Sequence, residues 1–215
     1  MTPRALVIGA SGGIGAALAQ RLAQDHAVTG LSRSGDGLDV TEEASVARLL
    51  GPLAPVDVCV VATGILAPPG SAPEKSLDAV EAGALARTFA VNAIGPALVL
   101  KHLNRAPGAR IGVLTARVGS IGDNGMGGWY AYRAAKAAAN QITRTAAIEI
   151  GRRDKAAVVA ALHPGTVETP FTARYPNHRK VGAEEAAANL VDVLLGLTPA
   201  QNGGFYDYAG KEIPW

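Results

Sequence analysis

The sequence predicts an α/β fold: a single-domain, doubly wound parallel sheet with helices on both faces. Short apolar runs alternate along the whole chain with stretches of helical hydrophobic spacing. The runs are apolar throughout instead of alternating with polar residues, as strands buried on both faces require. At 215 residues the chain has the length of one domain, residues 1–215, and can bury a full core without disulfides or metal. Right-handed crossovers then leave few topologies, of which the doubly wound sheet is the simplest.

Each element has its own signal. Leu6, Val7 and Ile8 read as the first strand, and Ile14, Leu18 and Leu22 mark one face of a helix over 14–24. Residues 27–31 form a second short strand. Thr41 is the expected N-cap of a helix running to Leu50. Residues 56–61 are a strand in which only Asp57 is polar. A long helix over 85–103, a strand over 111–115 and a second long helix over 129–150 follow. A strand over 156–162, a helix over 183–197 and a short strand over 204–208 close the chain. There is no internal repeat, linker or charge block.

Composition excludes several classes. A hydrophobic fraction of 48% against 18% charged residues marks a globular chain, not a disordered one. The single cysteine, Cys59, forbids an internal disulfide and reads as a small core residue. No apolar run reaches about 18 residues, so no membrane span is expected. The N-terminus enters a strand without a signal-peptide layout, which points to the cytoplasm. A net charge of +2 with dispersed basic residues is too weak for nucleic acid. His26, His102, His163 and His178 show no metal spacing, so no metal is expected.

After the first strand comes Gly9-Ala10-Ser11-Gly12-Gly13-Ile14-Gly15. Strand, glycine turn, helix is the context of a Rossmann-type nucleotide site. Glycine lets the backbone turn tightly and approach a pyrophosphate, and the helix N-terminus offers free N–H groups to that anion. The end of the second strand discriminates between cofactors, because an acid there holds the ribose 2′-OH of NAD and an arginine accommodates the 2′-phosphate of NADP. Here the strand ends Leu31-Ser32-Arg33-Ser34 with no acid. NADP is therefore expected and NAD disfavoured, with Ser32 and Arg33 as contacts.

Further on, Tyr132 and Lys136 stand four apart on one helix face. A nearby ammonium favours phenolate and lowers the tyrosine's pKa, so that Tyr132 can hand a proton to a carbonyl oxygen. With the glycine turn, this pair resembles the short-chain dehydrogenase/reductase family over essentially the whole chain. Gly9, Gly13 and Gly15 match the family's glycine motif, and Asp39 in Leu38-Asp39-Val40-Thr41 its adenine-contacting acid. Asn92 in Val91-Asn92-Ala93 matches the helix asparagine, and His163-Pro164-Gly165-Thr166-Val167-Glu168-Thr169 the Pro-Gly segment. The stretch from Gly119 to Asn140 and the closing Gly-Gly-Phe-Tyr-Asp are similar to the C-factor-type branch of the family.

The resemblance implies an NADP-dependent oxidoreductase acting on a small carbonyl or alcohol. Tyr132 is then the proton donor, Lys136 holds the nicotinamide ribose, and Asn92 supports a water that links Lys136 to proton exchange. Residues 164–169, with Pro164, Gly165, Val167 and Thr169 as contacts, hold the nicotinamide carboxamide. Val40, Ala62 and Gly64 complete the cofactor contacts. The long helices match those that build family dimers, so a homodimer or homotetramer is implied. The chain also departs from the pattern. The family's two asparagines after the next strand are missing from Val61-Ala62-Thr63-Gly64. The substrate serine falls on Ala116, with Thr115 beside it and Ser120 beyond the strand. That loss keeps a second reading open, a nucleotide-binding regulatory protein with little turnover. Trp129 and Tyr130 are expected to line the substrate pocket, pack the core or make a subunit contact. The segment 171–182 is short for a substrate lid.

Overall fold

A computed structural model describes residues 2–169, 171 and 180–215. In it, β1 (Arg4–Ile8), β2 (Ala27–Leu31), β3 (Val56–Val61), β4 (Arg105–Leu114), β5 (Val158–His163) and β6 (Phe205–Asp207) form one sheet. Every pairing is parallel, in the order β2-β1-β3-β4-β5-β6. The chain runs outward from β1 to β2 and then returns to β3 on the other side of β1. The crevice at the carboxyl ends of β1 and β3 is therefore the switch point where such sheets bind ligands.

Strand alternation divides the core in two. Leu6 and Ile8 of β1 pack into one cluster with Val46 and Leu50 of α3 (Glu43–Leu50), Val99 of α5 (Gly95–His102), and Ala147 and Ile150 of α6 (Tyr130–Arg153). Ala5 and Val7 face the other way, toward Leu18 and Leu22 of α1 (Gly13–Leu22) and Leu190 and Leu194 of α7 (Ala183–Gly196). Both faces of the central strands are thus covered by apolar side chains, as the unbroken hydrophobic runs require, while the edge strand β2 is buried only at Leu31.

Three local expectations need correction. The long helix expected over 85–103 is α4 (Ala82–Phe89), a π turn (Ala90–Ile94) and α5. Pro96 has no N–H to donate to the Asn92 carbonyl in α register, so the ladder slips and Gly95 N–H donates to the Ala90 carbonyl. This combined run, Ala82–His102, is long and apolar enough by length and composition to cross a membrane, a test that the core helix of a soluble protein also passes. Here α5 packs against α3 and α6, as a core helix does. Thr41 does not cap α3, whose N-cap is Glu42. Its hydroxyl instead donates to Asp39 Oδ1 at 2.6 Å. Finally, a four-residue helix unforeseen in the sequence, α2 (Arg33–Asp36), follows β2 directly.

Candidate active site

The glycine turn is set by two close approaches. Gly9 has φ +91°, and a Cβ there would lie 3.1 Å from backbone atoms of Ala62 and Thr63. A Cβ on Gly15 would lie 2.1 Å from the Gly9 carbonyl oxygen, so nothing larger fits. Gly9 and Ala10 N–H both donate to the Leu31 carbonyl, at 2.7 and 3.2 Å, which ties the end of β2 to the turn. At the start of α1, Gly12 supplies no side-chain cap, and the first turn holds no acid. The first-turn N–H groups and the positive end of the helix dipole are left for an anion. The residues fit a cofactor pyrophosphate on that ground.

A cavity of about 360 Å³ opens beside this turn. Its walls are residues 11–15, Ala62 to Gly64, Leu114 to Ala116, Tyr132, Lys136, His163 to Gly165, Val167, Thr169 and Phe171. The expected contacts Ser11, Gly12, Gly13, Ile14, Gly15, Ala62, Gly64, Tyr132, Lys136, Pro164, Gly165, Val167 and Thr169 thus share one cavity. The Pro-Gly segment closes directly on the turn, since a Cβ on Gly13 would lie 2.8 Å from Thr169 Cγ2. Gly9 lies behind the wall, while Ser32, Arg33, Asp39, Val40 and Asn92 lie off it. Residues 172–179, most of the segment read as a short lid, lie outside the described residues.

Tyr132 and Lys136 enter this cavity from the first turns of α6. Three successive residues before the helix are left-handed: Gly127 and Gly128 at φ 66° and Trp129 at φ 53°. That conformation strains a tryptophan. It is held by Glu74, a buried residue of the loop after β3, whose carbonyl accepts from Trp129 N–H at 2.5 Å. The Glu74 carboxylate accepts from Ala131 N–H at 3.2 Å and so serves the helix's first turn. The Trp129 ring meets Tyr132 edge-on at 6.0 Å, and Phe171 lies at the same distance on a tilt.

Burial, not the ammonium, dominates the tyrosine. Lys136 Nζ lies 5.8 Å from the Tyr132 ring centroid and donates to the Leu114 carbonyl at 2.9 Å. Enclosure pushes the Tyr132 phenol above its ordinary range and pulls Lys136 down to about 8. The expected lowering of the tyrosine is therefore corrected: the phenol keeps its proton across the neutral range. Asn92, buried in the π turn, bonds the loop after β3. Its Oδ1 accepts from Ile65 N–H and its Nδ2 donates to the Ile65 carbonyl, both at 2.8 Å. The side chain thus clamps that loop.

The residues at and beside the expected serine position separate in the structure. Ala116 and Thr115 line the cavity, whereas Ser120 does not. Ser120 is buried, and its Oγ accepts from Asp123 N–H at 3.0 Å. The Thr115 hydroxyl is buried without a protein partner. Thr115 N–H still donates to the Leu162 carbonyl, so the strand's alternation turns this residue toward the face of Val113 and α6.

At the adenine end, Asp39 Oδ1 accepts from Thr41 N–H and hydroxyl, and these bonds hold its carboxyl below the usual range. A carboxylate does stand at the end of β2, contrary to the sequence expectation. Asp36, on the first turn after the strand, folds back so that its Oδ2 accepts from Ser32 N–H at 2.9 Å.

Sequence reasoning missed Glu74, Asp36, Phe171 and His163. Burial pulls His163 down to about 4 against the opposing pull of Asp207, so it is neutral on the cavity wall. Its place directly before Pro164-Gly165 was the available signal.

Residues 36–196 match the family model described as enoyl-(acyl carrier protein) reductase. The chain is 36% identical to the C-signal protein of Myxococcus xanthus, over 75% of this chain and 93% of that one. The chain belongs to the short-chain dehydrogenase/reductase family. It is also 30% identical to the 1-hydroxy-2-glutathionyl-2-methyl-3-butene dehydrogenase of Rhodococcus sp. (strain AD45), over 98% of both chains. Among solved structures, a short-chain dehydrogenase/reductase from Burkholderia multivorans with bound NADP superposes with a TM-score of 0.83 at 24% identity, covering 100% of both chains. The NADPH-bound carbonyl reductase from chicken fatty liver gives 0.83 at 22%, covering 100% of this chain and 99% of that one. This short-chain dehydrogenase/reductase therefore has the family's fold end to end in only 215 residues.

Proposed function

We propose that the protein is an NADP-dependent oxidoreductase that interconverts a small carbonyl and its alcohol, with Tyr132 as the proton donor. The observation that carries this reading is the sharing of one cavity by the glycine turn, the Pro-Gly segment, Tyr132 and Lys136. The cofactor, when bound, supplies or accepts the hydride. The α1 N-terminus and residues 11–15 would hold its pyrophosphate, Arg33 its 2′-phosphate, Lys136 its ribose, and residues 164–169 its carboxamide. The solved neighbours with bound NADP and NADPH support that choice.

The chain's own part in the chemistry is a proton. A phenol raised by burial stays protonated and is poised to donate to a carbonyl oxygen in the direction of reduction. A charged Lys136 draws that oxygen's developing negative charge toward the cavity. Because Lys136 titrates near 8, reduction should weaken as pH rises through that value. Phe171, which lines the cavity with its ring 6.0 Å from that of Tyr132, favours a substrate with an apolar or aromatic flank. At Ala116 the substrate oxygen lacks a hydroxyl donor, a loss worth roughly 10²–10³ in rate. We therefore read the enzyme as slow, not inert: the regulatory alternative leaves the retained Tyr132 phenol with no proton transfer to make.

The test follows NADPH oxidation across a panel of small carbonyls, beside direct titration of NADPH binding. Tyr132→Phe should abolish reduction while binding survives, and Ala116→Ser should raise turnover. Unchanged turnover in Tyr132→Phe sinks the mechanism. Tight NADPH binding with no turnover on any carbonyl favours the regulatory alternative.

A further inference from the structure

Residues 205–215 take no part in the chemistry above, yet they reach two sides of the cavity. β6 turns at residues 208–210 and the chain comes back along it. Asp207 Oδ1 shapes the turn by accepting from Ala209 and Lys211 N–H, both at 2.9 Å. Asp207 N–H donates to the Lys211 carbonyl at 2.9 Å, Tyr206 and Glu212 form an antiparallel bridge, and Ile213 N–H donates to the Phe205 carbonyl at 2.8 Å. Ile213 is buried with Phe205 and with Ala161 of β5, so the returning segment is fixed to the sheet.

At the turn, the Tyr208 ring lies against Gly165 of the Pro-Gly segment, which lines the cavity. A Cβ on Gly165, left-handed at φ 75°, would lie 2.9 Å from Tyr208 Cδ1. At the far end, Trp215 stacks on Phe205 with centroids 5.5 Å and planes 26° apart. The Trp215 carbonyl accepts from Gly122 N–H at 2.9 Å, and a Cβ on Gly122 would lie 3.0 Å from that oxygen. Gly122 belongs to the loop that leaves the cavity at Ala116 and ends at Trp129, whose ring meets Tyr132 edge-on. Asp123 draws this loop together, because its carboxylate pairs with Arg117 and its N–H donates to Ser120 Oγ. A tether at Gly122 therefore holds the loop at its middle.

We propose that Tyr208 and Trp215 are positioning residues, Tyr208 for the cofactor through Gly165 and Trp215 for the carbonyl substrate through the loop at Gly122. The proposal rests on the oxidoreductase reading of the cavity. Neither side chain lines the cavity, so each acts through the wall it holds. The bond to Gly122 comes from the backbone of Trp215, and the ring's part is to keep that carbonyl in place by stacking on Phe205. A wall held before the ligand arrives loses less conformational freedom on binding. The two ends of one segment thus serve two different ligands.

A purely structural role and a positioning role make different demands. Tyr208 and Trp215 are 42% and 40% exposed, so truncating either leaves the core in place. The experiment compares the full chain with Tyr208→Ala and Trp215→Ala. It titrates NADPH by its fluorescence and measures kcat and KM on a carbonyl that the native protein reduces, at saturating NADPH. Tyr208→Ala should weaken NADPH binding roughly three- to tenfold and leave the carbonyl KM unchanged. Trp215→Ala should lower kcat/KM for the carbonyl on the order of tenfold, mainly through KM, with NADPH binding intact. Tyr208→Phe and Trp215→Phe, which keep a ring at each contact, should recover most of each loss. Losses spread equally over both ligands in both alanine variants, or no change for either ligand, overturn the proposal and leave the segment a brace for the sheet edge. Native protein that binds NADPH but reduces no carbonyl overturns the oxidoreductase reading and the role of Trp215 with it, while the NADPH titration still decides for or against Tyr208. Native protein that does not bind NADPH overturns both.

Discussion

Lys136 illustrates at the residue scale how a functional group works against stability. Its ammonium is enclosed, with the Leu114 carbonyl as its hydrogen-bond acceptor, and it titrates near 8 instead of 10.5. Below about 8 the folded chain carries a buried charge that the unfolded chain keeps in water. Between about 8 and 10.5 the unfolded chain holds a proton that the folded chain has released, so this residue's contribution to stability rises with pH across that window. Lys136→Met should therefore stabilise the cofactor-free protein at neutral pH by on the order of 1–3 kcal/mol. That gain should fade as pH approaches 10.5, and reductase activity should be lost. Urea unfolding at neutral and alkaline pH measures this. A variant less stable than wild type at neutral pH would show that the hydrogen bond to Leu114 outweighs the cost of the buried charge.

Among the elements, the loop between β3 and α4 ties three parts of the site together. Near its start, Ile65 is clamped by Asn92 of the π turn. Further along, Glu74 holds the left-handed Trp129 and the first turn of α6. Without its carboxylate the entry to α6 loses the acceptor for Ala131 N–H, while the backbone carbonyl that accepts from Trp129 N–H stays in place. Glu74→Ala should cost about 0.5–2 kcal/mol, the usual range for a lost cap. Reduction should slow as well, because Tyr132 then starts from a looser helix end. Glu74→Gln retains an oxygen acceptor and should recover most of both losses. Thermal denaturation and steady-state rates on the two variants separate the outcomes; equal damage in both would place the importance in the charge instead of the bond.

For the whole molecule, the two hydrophobic layers leave one crevice at the carboxyl ends of β1 and β3, bridged by α1 on one face and α6 on the other. A cofactor lying there touches elements from both layers and binds only the folded chain. NADPH at a hundred times its dissociation constant should add about 2.7 kcal/mol. For a chain of this length that is a rise in Tm of roughly 5–10 °C. A thermal-shift series over NADPH concentration checks it, and a Tm independent of both NADPH and NADH would remove the cofactor from the proposed function.

What the sequence determined by itself is the sheet and its glycine turn. Each of the six strands overlaps an expected apolar run, because strands covered on both faces need unbroken hydrophobic segments, although β4 begins at Arg105, six residues before the run that announced it. Tyr132 and Lys136 were legible for a similar reason: helical spacing alone puts them on one face. What only the tertiary structure decided is how charge and burial act on those residues. No local pattern says that Glu74 reaches across 57 positions to Ala131, or that Asn92 spends its amide on Ile65. None says that enclosure outweighs the ammonium in setting the Tyr132 phenol. Asp36 lies between these cases. Its residue type was in plain view, but an acid four positions past Ser32 reaches the end of β2 only because the chain turns there into a single helical turn. Spacing along a regular element is written into the sequence, whereas hydrogen bonds across loops and the cost of enclosing a charge depend on neighbours that only folding supplies.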